Sequence, residues 1–327
     1  MTRFTFADGV RQAIAEEMRR DPAVFLIGED VGEPGGVFGV TKGLYDEFGP
    51  HQLWDTPISE EVIVGAAVGA AMVGARPIAE IMFSDFVTLA MDMIVNQAAK
   101  LHYMTGGGLS VPMVVRMVCG TAGSTAAQHS QSLESWFLHV PGIKVVAPAT
   151  PHDAKGLLKA AIRDPDPVIF FEHKQVYGGR GGPAGDVVEV EPIAFGKGRV
   201  HREGSDVTVV SYLKTLHDSL AAAEKLAEEG ISCEVWDPRT LVPFDYAGLR
   251  ESIAKTGRLV IAHEGVRRGG VGAEIAAWAA DECYDLLKAP ILRIGARNTP
   301  VPYAPVLEKE VIPSVERITD EVRKFVG

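Results

Sequence analysis

The sequence predicts an α/β protein built from two doubly wound α/β/α domains, and three observations carry that expectation. Short runs of β-branched and aromatic residues alternate with segments of helical period, which implies mostly parallel sheets covered on both faces. The alternation fails once, over residues 173–206, and then resumes. The chain has 327 residues, more than one hydrophobic core usually organises, so two domains are expected.

The strand candidates of the first half are VFLIG (24–28), PIAEIM (77–82), PMVVRMV (112–118), IKVVAP (143–148) and PVIFFE (167–172). Each is an apolar run of the length that a strand buried on both faces needs. Helical patterns lie between them at 8–20, 60–75, 85–104, 131–139 and 151–163. The stretch from His173 to about residue 206 mixes Gly, Pro and charge and reads as a linker. VTVVSY (207–212), a helix near 215–229, SCEVWD (232–237), RLVIAHE (258–264), a helix near 271–287, ILRIG (291–295) and a helix from about 305 then form a second, smaller domain. The expected boundaries are 1–190 and 200–327, with the linker at about 173–205. No internal repeat or low-complexity tail interrupts this plan.

With 43 acidic against 32 basic residues the net charge is −11, and no basic cluster offsets it, which argues against nucleic acid as the main partner. The start, MTRFTFADGVRQ, lacks the apolar core and small-residue cleavage site of a secretory signal, so a cytoplasmic location is expected. Cys119, Cys233 and Cys283 are odd in number and far apart, which reads as reduced thiols without metal-type spacing. Residues 62–75 are uncharged but fall short of the roughly 20 that a membrane span needs, and they are rich in Gly and Ala. A tightly packed interior helix, and no membrane association, is the expectation.

Four stretches carry candidate chemistry. In WDTPISEEV, Ser59 suits a helix N-cap, and Glu60 and Glu61 in the first turn suit the helix dipole. A carboxylate at that place also faces the crevice at the end of a parallel strand, where such folds bind ligands. In GSTAAQHSQS, small residues after a strand lead to His129, either an ordinary hydrogen-bonded side chain or a proton-transfer group. Its neighbour Ser130 does not make it a hydrolase, because no G-x-S-x-G elbow is present. In AEIMFSDFVTLAMD, Met82, Phe83 and Phe86 at a strand-to-helix passage are core residues or the wall of a pocket for a flat ring. In EGVRRGGVGAEIA a glycine-rich turn resembles a phosphate cradle but lacks the third glycine of G-x-G-x-x-G, so a tight packing turn is the simpler reading.

Taken together, GEDVG, GGVFGVTKGLYDEFGP, DTPISE, GAAVGAAMVGARPIAEIMFSDF, NQAAKLHYMTGG, AAQHSQS, PGIKVVAPATPHDAKGLLKAAIRDPDPVIFFEHKQVYG and GISCEVWDPRTLVPFD resemble the beta subunit of the decarboxylating first component of 2-oxo acid dehydrogenase complexes. The resemblance runs from about residue 3 to 325. It implies a transketolase-like fold, in which a thiamine diphosphate pyrimidine-binding domain is followed by a transketolase C-terminal-like domain. It also implies a heterotetramer of two alpha and two beta chains. The alpha chain of such enzymes holds magnesium and the diphosphate on a G-D-G…N-N motif, and no G-D-G occurs here, so this chain is expected to be half of an active site.

Residue by residue, the resemblance implies that Glu60 hydrogen-bonds a ring nitrogen of the cofactor's aminopyrimidine and promotes proton removal from the thiazolium carbon. Burial would raise the pKa of such a glutamate, opposed by the helix terminus. Phe86 is implied as the aromatic packed on the pyrimidine, with Ile58 and Met82 completing the wall. His129 is implied in proton handling or charge stabilisation as the acyl group passes to the lipoyl arm of the acyltransferase second component. Met113, Ala161, Ile162, Asp164 and Asp166 match positions that hold potassium in some members, with Asp166 departing from the family residue.

STAAQHSQ is closer to pyruvate and acetoin enzymes than to branched-chain ones, which tend to read G-G-Q-x-H-S-Q. The combination of GGVFGVTKGLYDEF with IFFEHKQVYG leans toward acetoin. The competing readings are a branched-chain 2-oxo acid enzyme, a self-sufficient transketolase-like enzyme, and a non-catalytic nucleotide-binding or regulatory α/β module.

Overall fold

The computed structural model describes residues 4–178 and 187–327. The glycine-rich centre of the expected linker, residues 179–186, lies outside the described residues. The chain divides into two compact units, residues 1–119 with 139–195, and residues 120–138 with 196–327.

In the first unit the strands are β1 (Val24–Gly28), β2 (Leu53–Asp55), β3 (Arg76–Ile81), β4 (Val114–Cys119), β5 (Lys144–Val146) and β6 (Val168–His173), ordered β5-β6-β4-β3-β1-β2 and all parallel. The residues of β1, β3, β4 and β6 are almost wholly buried, as a sheet covered on both faces requires, while the edge strand β2 exposes Trp54 and Asp55. The helices are α1 (Phe6–Arg20), α2 (Leu44–Gln52), α3 (Glu60–Met72), α4 (Val87–Asp92) and α5 (Ala99–Met104), followed after β5 by a thirteen-residue helix, Pro151–Arg163. Phe6, Val10 and Ile14 of α1 join Leu157 and Ile162 in one core with Leu26, Ile78 and Phe170 of the sheet. Thr5 and Asp8 cap α1 reciprocally, and Thr150 caps the thirteen-residue helix, whose first residue is Pro151.

The expected helix over 85–104 is a chain of short pieces: a 3-10 turn (Ser84–Phe86), α4, a π-helical stretch (Met93–Ala98) and α5. Apolar residues recur through the whole segment, so its period does not reveal the changes of winding. The short helix α2 and strand β2 are additions to the sequence-based plan.

One buried ion network ties three adjacent strands. Arg116 of β4 is 1% exposed and pairs with Glu80 of β3 and, through two bonds of 2.8 and 2.9 Å, with Glu172 of β6, which also accepts from the Tyr177 hydroxyl at 2.7 Å. The guanidinium is held charged by both carboxylates against its own burial, and burial raises the Glu80 pKa.

The second unit begins with α6 (Glu134–Leu138); the Pro151–Arg163 helix of the first unit is accordingly α7. Its later elements are β7 (Arg199–Arg202), β8 (Val207–Val210), α8 (Leu213–Glu228), β9 (Cys233–Asp237), β10 (Thr240–Val242), α9 (Tyr246–Thr256), β11 (Leu259–Val266), α10 (Val271–Glu282), β12 (Leu292–Ala296), α11 (Pro305–Val311) and α12 (Val315–Val326). The sheet runs β12-β11-β8-β9-β7, parallel except for the edge strand β7, which is antiparallel to β9. β7 falls in the stretch that reads as linker, because RVHR is charged and half exposed like other edge strands. The single C-terminal helix expected from about 305 is two helices, broken at Ile312 and Pro313.

Candidate active site

In the first unit the chain moves from β1 to β2 on one side and then returns to place β3 on the other. The ends of β3, β1 and β2 therefore lie side by side around a point where the direction of winding reverses, the place where parallel sheets bind ligands. Three connections leave from those ends. The one after β1 begins with Glu29, the one after β2 carries Ile58 and Glu60, and the one after β3 carries Met82 and Phe86.

Glu60 is the first residue of α3 and is 4% exposed, whereas Glu61 beside it is exposed. A helix turns successive side chains about 100° apart, so of two neighbouring acids one enters the protein and the other faces water. Ser59 occupies the N-cap position, but its hydroxyl makes no cap bond and donates instead to the Pro57 carbonyl at 3.0 Å. The sequence located the cap position, which Ser59 occupies without a side-chain cap bond.

Glu29 is the residue that sequence reasoning passed over, although it stands in the quoted GEDVG. It is 8% exposed, and its Oε1 is buried without a hydrogen-bond partner. Its pKa is raised, first by burial and then by the charge of Glu60, with a backbone hydrogen bond from Ser59 opposing. The charge of Glu60 thus reaches Glu29 at the mouth of the sheet, and the readable signal was an acid at the carboxyl end of a buried strand.

Phe86 and Met82 are half-buried. The Phe86 ring meets Phe83 edge to face with centroids 5.9 Å apart, and Phe83 continues through Phe38, at 5.8 Å, toward Tyr177. Lys174 Nζ lies 5.0 Å from the Phe83 ring centre. Ile58, expected in the same wall, is 82% exposed in this chain.

His129 belongs to the second unit. It is half-buried on a loop between β4 and α6, and its carbonyl accepts from the Thr125 hydroxyl at 3.1 Å, which also bonds Ser130 Oγ at 2.8 Å. In the same unit a cavity of about 300 Å³ lies between this loop and residues 296–301.

The positions matched to potassium have protein partners. Arg76 Nη1 donates to the Ile162 carbonyl at 3.0 Å and to the Asp164 carbonyl at 3.3 Å. Asp164 N bonds the Ala161 carbonyl, Val168 N bonds the Met113 carbonyl, and the Asp164 and Asp166 carboxylates hold Lys144 at 2.5 and 2.8 Å. A potassium ion there would share its carbonyls with a guanidinium.

The glycine-rich turn is filled by protein. The imidazole of His263 accepts from Gly272 N at 3.2 Å, inside the first turn of α10, and a Cβ on Gly270 would come within 2.6 Å of the ring. This explains the glycines as packing residues around a buried histidine, without need of a phosphate role. Among the described residues no helix is long and apolar enough to cross a membrane.

Two domain-family models match in succession, "transketolase, pyrimidine binding domain" over residues 3–180 and "transketolase, C-terminal domain" over residues 196–318. The chain belongs to the transketolase-like family. This transketolase-like chain is 48% identical to the acetoin:2,6-dichlorophenolindophenol oxidoreductase subunit beta of Cupriavidus necator, covering 96% of this chain and 95% of that one. It is 44% identical to the 2-oxoisovalerate dehydrogenase subunit beta of Bacillus subtilis, covering 99% of each. It is 45% identical to the pyruvate dehydrogenase E1 component subunit beta of Rhizobium meliloti, covering 99% of this chain and 70% of the relative. Among solved structures, a split-gene transketolase described as an inactive beta4 tetramer superposes with a TM-score of 0.78 at 24% identity, over 98% of this chain and 96% of that one. The transketolase-like fold is thereby shown, and the chain is a member of the dehydrogenase beta subunits within the family. It is an enzyme subunit of the thiamine diphosphate-dependent oxidoreductase class.

Proposed function

We propose that this beta subunit works with an alpha chain, in a two-alpha two-beta heterotetramer, as a thiamine diphosphate-dependent pyruvate or acetoin dehydrogenase. In this reading it decarboxylates or cleaves the substrate and passes the acyl group to the lipoyl group of an acyltransferase second component. The observation that carries the reading is the buried Glu60 carboxylate, coupled to Glu29 at the carboxyl ends of adjacent parallel strands, in a chain with no G-D-G motif.

The residues present fit the pyrimidine end of the cofactor. A buried carboxylate offers one strong hydrogen bond to a ring nitrogen, the partnerless Glu29 Oε1 shows a polar group left in want of company, and the half-buried Phe86 and Met82 offer an apolar wall. Thiamine diphosphate, when bound, supplies the nucleophilic carbon and the electron sink. Glu60 would orient the pyrimidine and share a proton with it, and its burial would keep water from competing for that bond. Glu29, with its raised pKa, would retain a proton to higher pH than a free glutamate and so limit the negative charge beside Glu60. His129 would hold or move a proton at the acyl-transfer step. Magnesium and the diphosphate would rest on the alpha chain. Arg76 already bonds the Ile162 and Asp164 carbonyls and Lys144 the Asp164 and Asp166 carboxylates, so the reading needs no potassium.

The alpha partner is supported by α3, whose outer face leaves Val62 64% exposed and, just past its end, Val73 85% exposed. A cytoplasmic location is supported by three buried cysteines that form no disulfide. The relatives include a 2-oxoisovalerate enzyme, and STAAQHSQ favours pyruvate or acetoin over branched-chain substrates.

The test is co-purification followed by a panel of pyruvate, acetoin and branched-chain 2-oxo acids on the reconstituted complex. A second chain bearing G-D-G…N-N and turnover of pyruvate or acetoin are expected. Turnover by the purified beta chain alone, or no turnover by the complex with any of these substrates, would overturn the proposal.

A further inference from the structure

The loop that carries His129 has one root in a side chain far away in sequence. Thr121 N donates to Glu264 Oε1 at 2.6 Å, a buried bond between residues 143 positions apart. The second root is local, Gly120 N to the Gln131 carbonyl at 3.1 Å. Inside the loop the Thr125 hydroxyl holds the His129 carbonyl and Ser130 Oγ. Gly123, Ser124 and Ala126 all sit at positive φ, in a conformation that two of these three residue types adopt only when surrounding bonds impose it. Glu264 itself lies near the end of β11, where the pairing with β12 shifts register between Ala262 and Val266, and is 9% exposed. A buried carboxylate of the central strand β11 therefore presents an acceptor to the first turn of the loop.

The geometry points to Glu264 as the positioning residue of the His129 loop. Its carboxylate orients the peptide after Gly120, that peptide sets the course of residues 121–130, and the course sets where the imidazole stands for acyl transfer. The inference rests on the role proposed for His129. It gives a role to the first residue of the glycine-rich stretch EGVRRGGVGAEIA, which is distant in sequence from the loop. Replacement by leucine leaves the Thr121 N–H without that acceptor, whereas glutamine can still accept from it.

The experiment uses the assembled alpha–beta complex with three readouts. These are acyl transfer to a lipoyl domain, oxidation of the same substrate with an artificial electron acceptor, and hydrogen exchange of the segment 120–133. For Glu264→Leu, acyl transfer is expected to fall about tenfold or more while acceptor-linked oxidation falls less than about threefold, with exchange of 120–133 accelerated and that of β8 and β9 unchanged. Glu264→Gln is expected to restore all three. If the leucine variant does not assemble, Glu264→Asp, one methylene too short to reach Thr121 N from the same backbone, replaces it. Equal loss in both activities, unchanged exchange in the loop, or a glutamine variant as impaired as leucine would overturn the assignment. Absence of any activity in the wild-type complex would instead count against the function proposed above, while the exchange readout would still judge the clamp.

Discussion

At the scale of residues, adjacent groups of the same type have been given opposite environments. Glu60 is buried and Glu61 is exposed on the same first turn. Glu60→Gln is therefore expected to leave the complex assembled and to lower turnover about a hundredfold or more, as loss of a proton-sharing group does. Glu61→Gln is expected to cost only helix-terminus energy, under about 1 kcal/mol, with turnover unchanged. Near wild-type turnover in the first variant would remove Glu60 from the site. The pair was visible in the sequence, but which of the two enters the protein depends on the phase of the helix, and the involvement of Glu29 depends on the neighbouring strand.

His263 makes a prediction about pH. Its pKa is lowered from 6.5 to about 4, first by burial and then by the charge of Arg293. The unfolded chain binds a proton in that interval and the folded chain does not. The stability tied to the neutral ring is fully present above about pH 6.5 and is lost as pH falls toward 4, a change of up to about 3 kcal/mol. Urea midpoints measured across that window are expected to fall more steeply with acid in the wild type than in His263→Asn. Parallel slopes would contradict the assignment.

At the scale of elements, the parallel strands were legible because burial on both faces demands unbroken β-branched runs, and VFLIG, PMVVRMV and VTVVSY show them. Helix α9 was missed although its signals are present. Asp245 accepts from Gly248 N at 3.0 Å as its N-cap, and Gly257 at φ 72° closes it. The segment's mixed polarity hid those ends. Asp245 also accepts from Gly198 N at 2.8 Å, so one carboxylate serves a cap and a distant loop. Asp245→Ala is expected to destabilise the chain by about 1 to 3 kcal/mol, read from the urea midpoint, and Asp245→Asn by less. The broken winding over residues 84–104 and the edge strand β7 were not legible, since neither alters the hydrophobic period in a recognisable way.

At the scale of the whole molecule, the division between the halves of the active site is the main expectation. A chain that supplies one wall of a cofactor site needs a partner for the other, and the exposed valines along α3 offer a face for it. Val62→Lys is expected to weaken co-assembly with the alpha chain about tenfold or more without lowering the melting temperature of the isolated beta chain. Unchanged assembly would direct the search for the contact elsewhere. The resemblance made the family legible from residue order alone, while the grouping of His129 with residues 196–327 was hidden because the loop is distant in sequence from that unit.

The excursion of residues 120–138 into the second unit bears on modularity. A gene cut at the glycine-rich junction would leave α6 and the His129 loop on one product and the strand bearing Glu264 on the other. The two products would behave as complementary fragments, each missing a piece of structure that only recombination restores. Such a chain resists domain shuffling at its most obvious seam, because its cooperative units and its order of synthesis do not coincide.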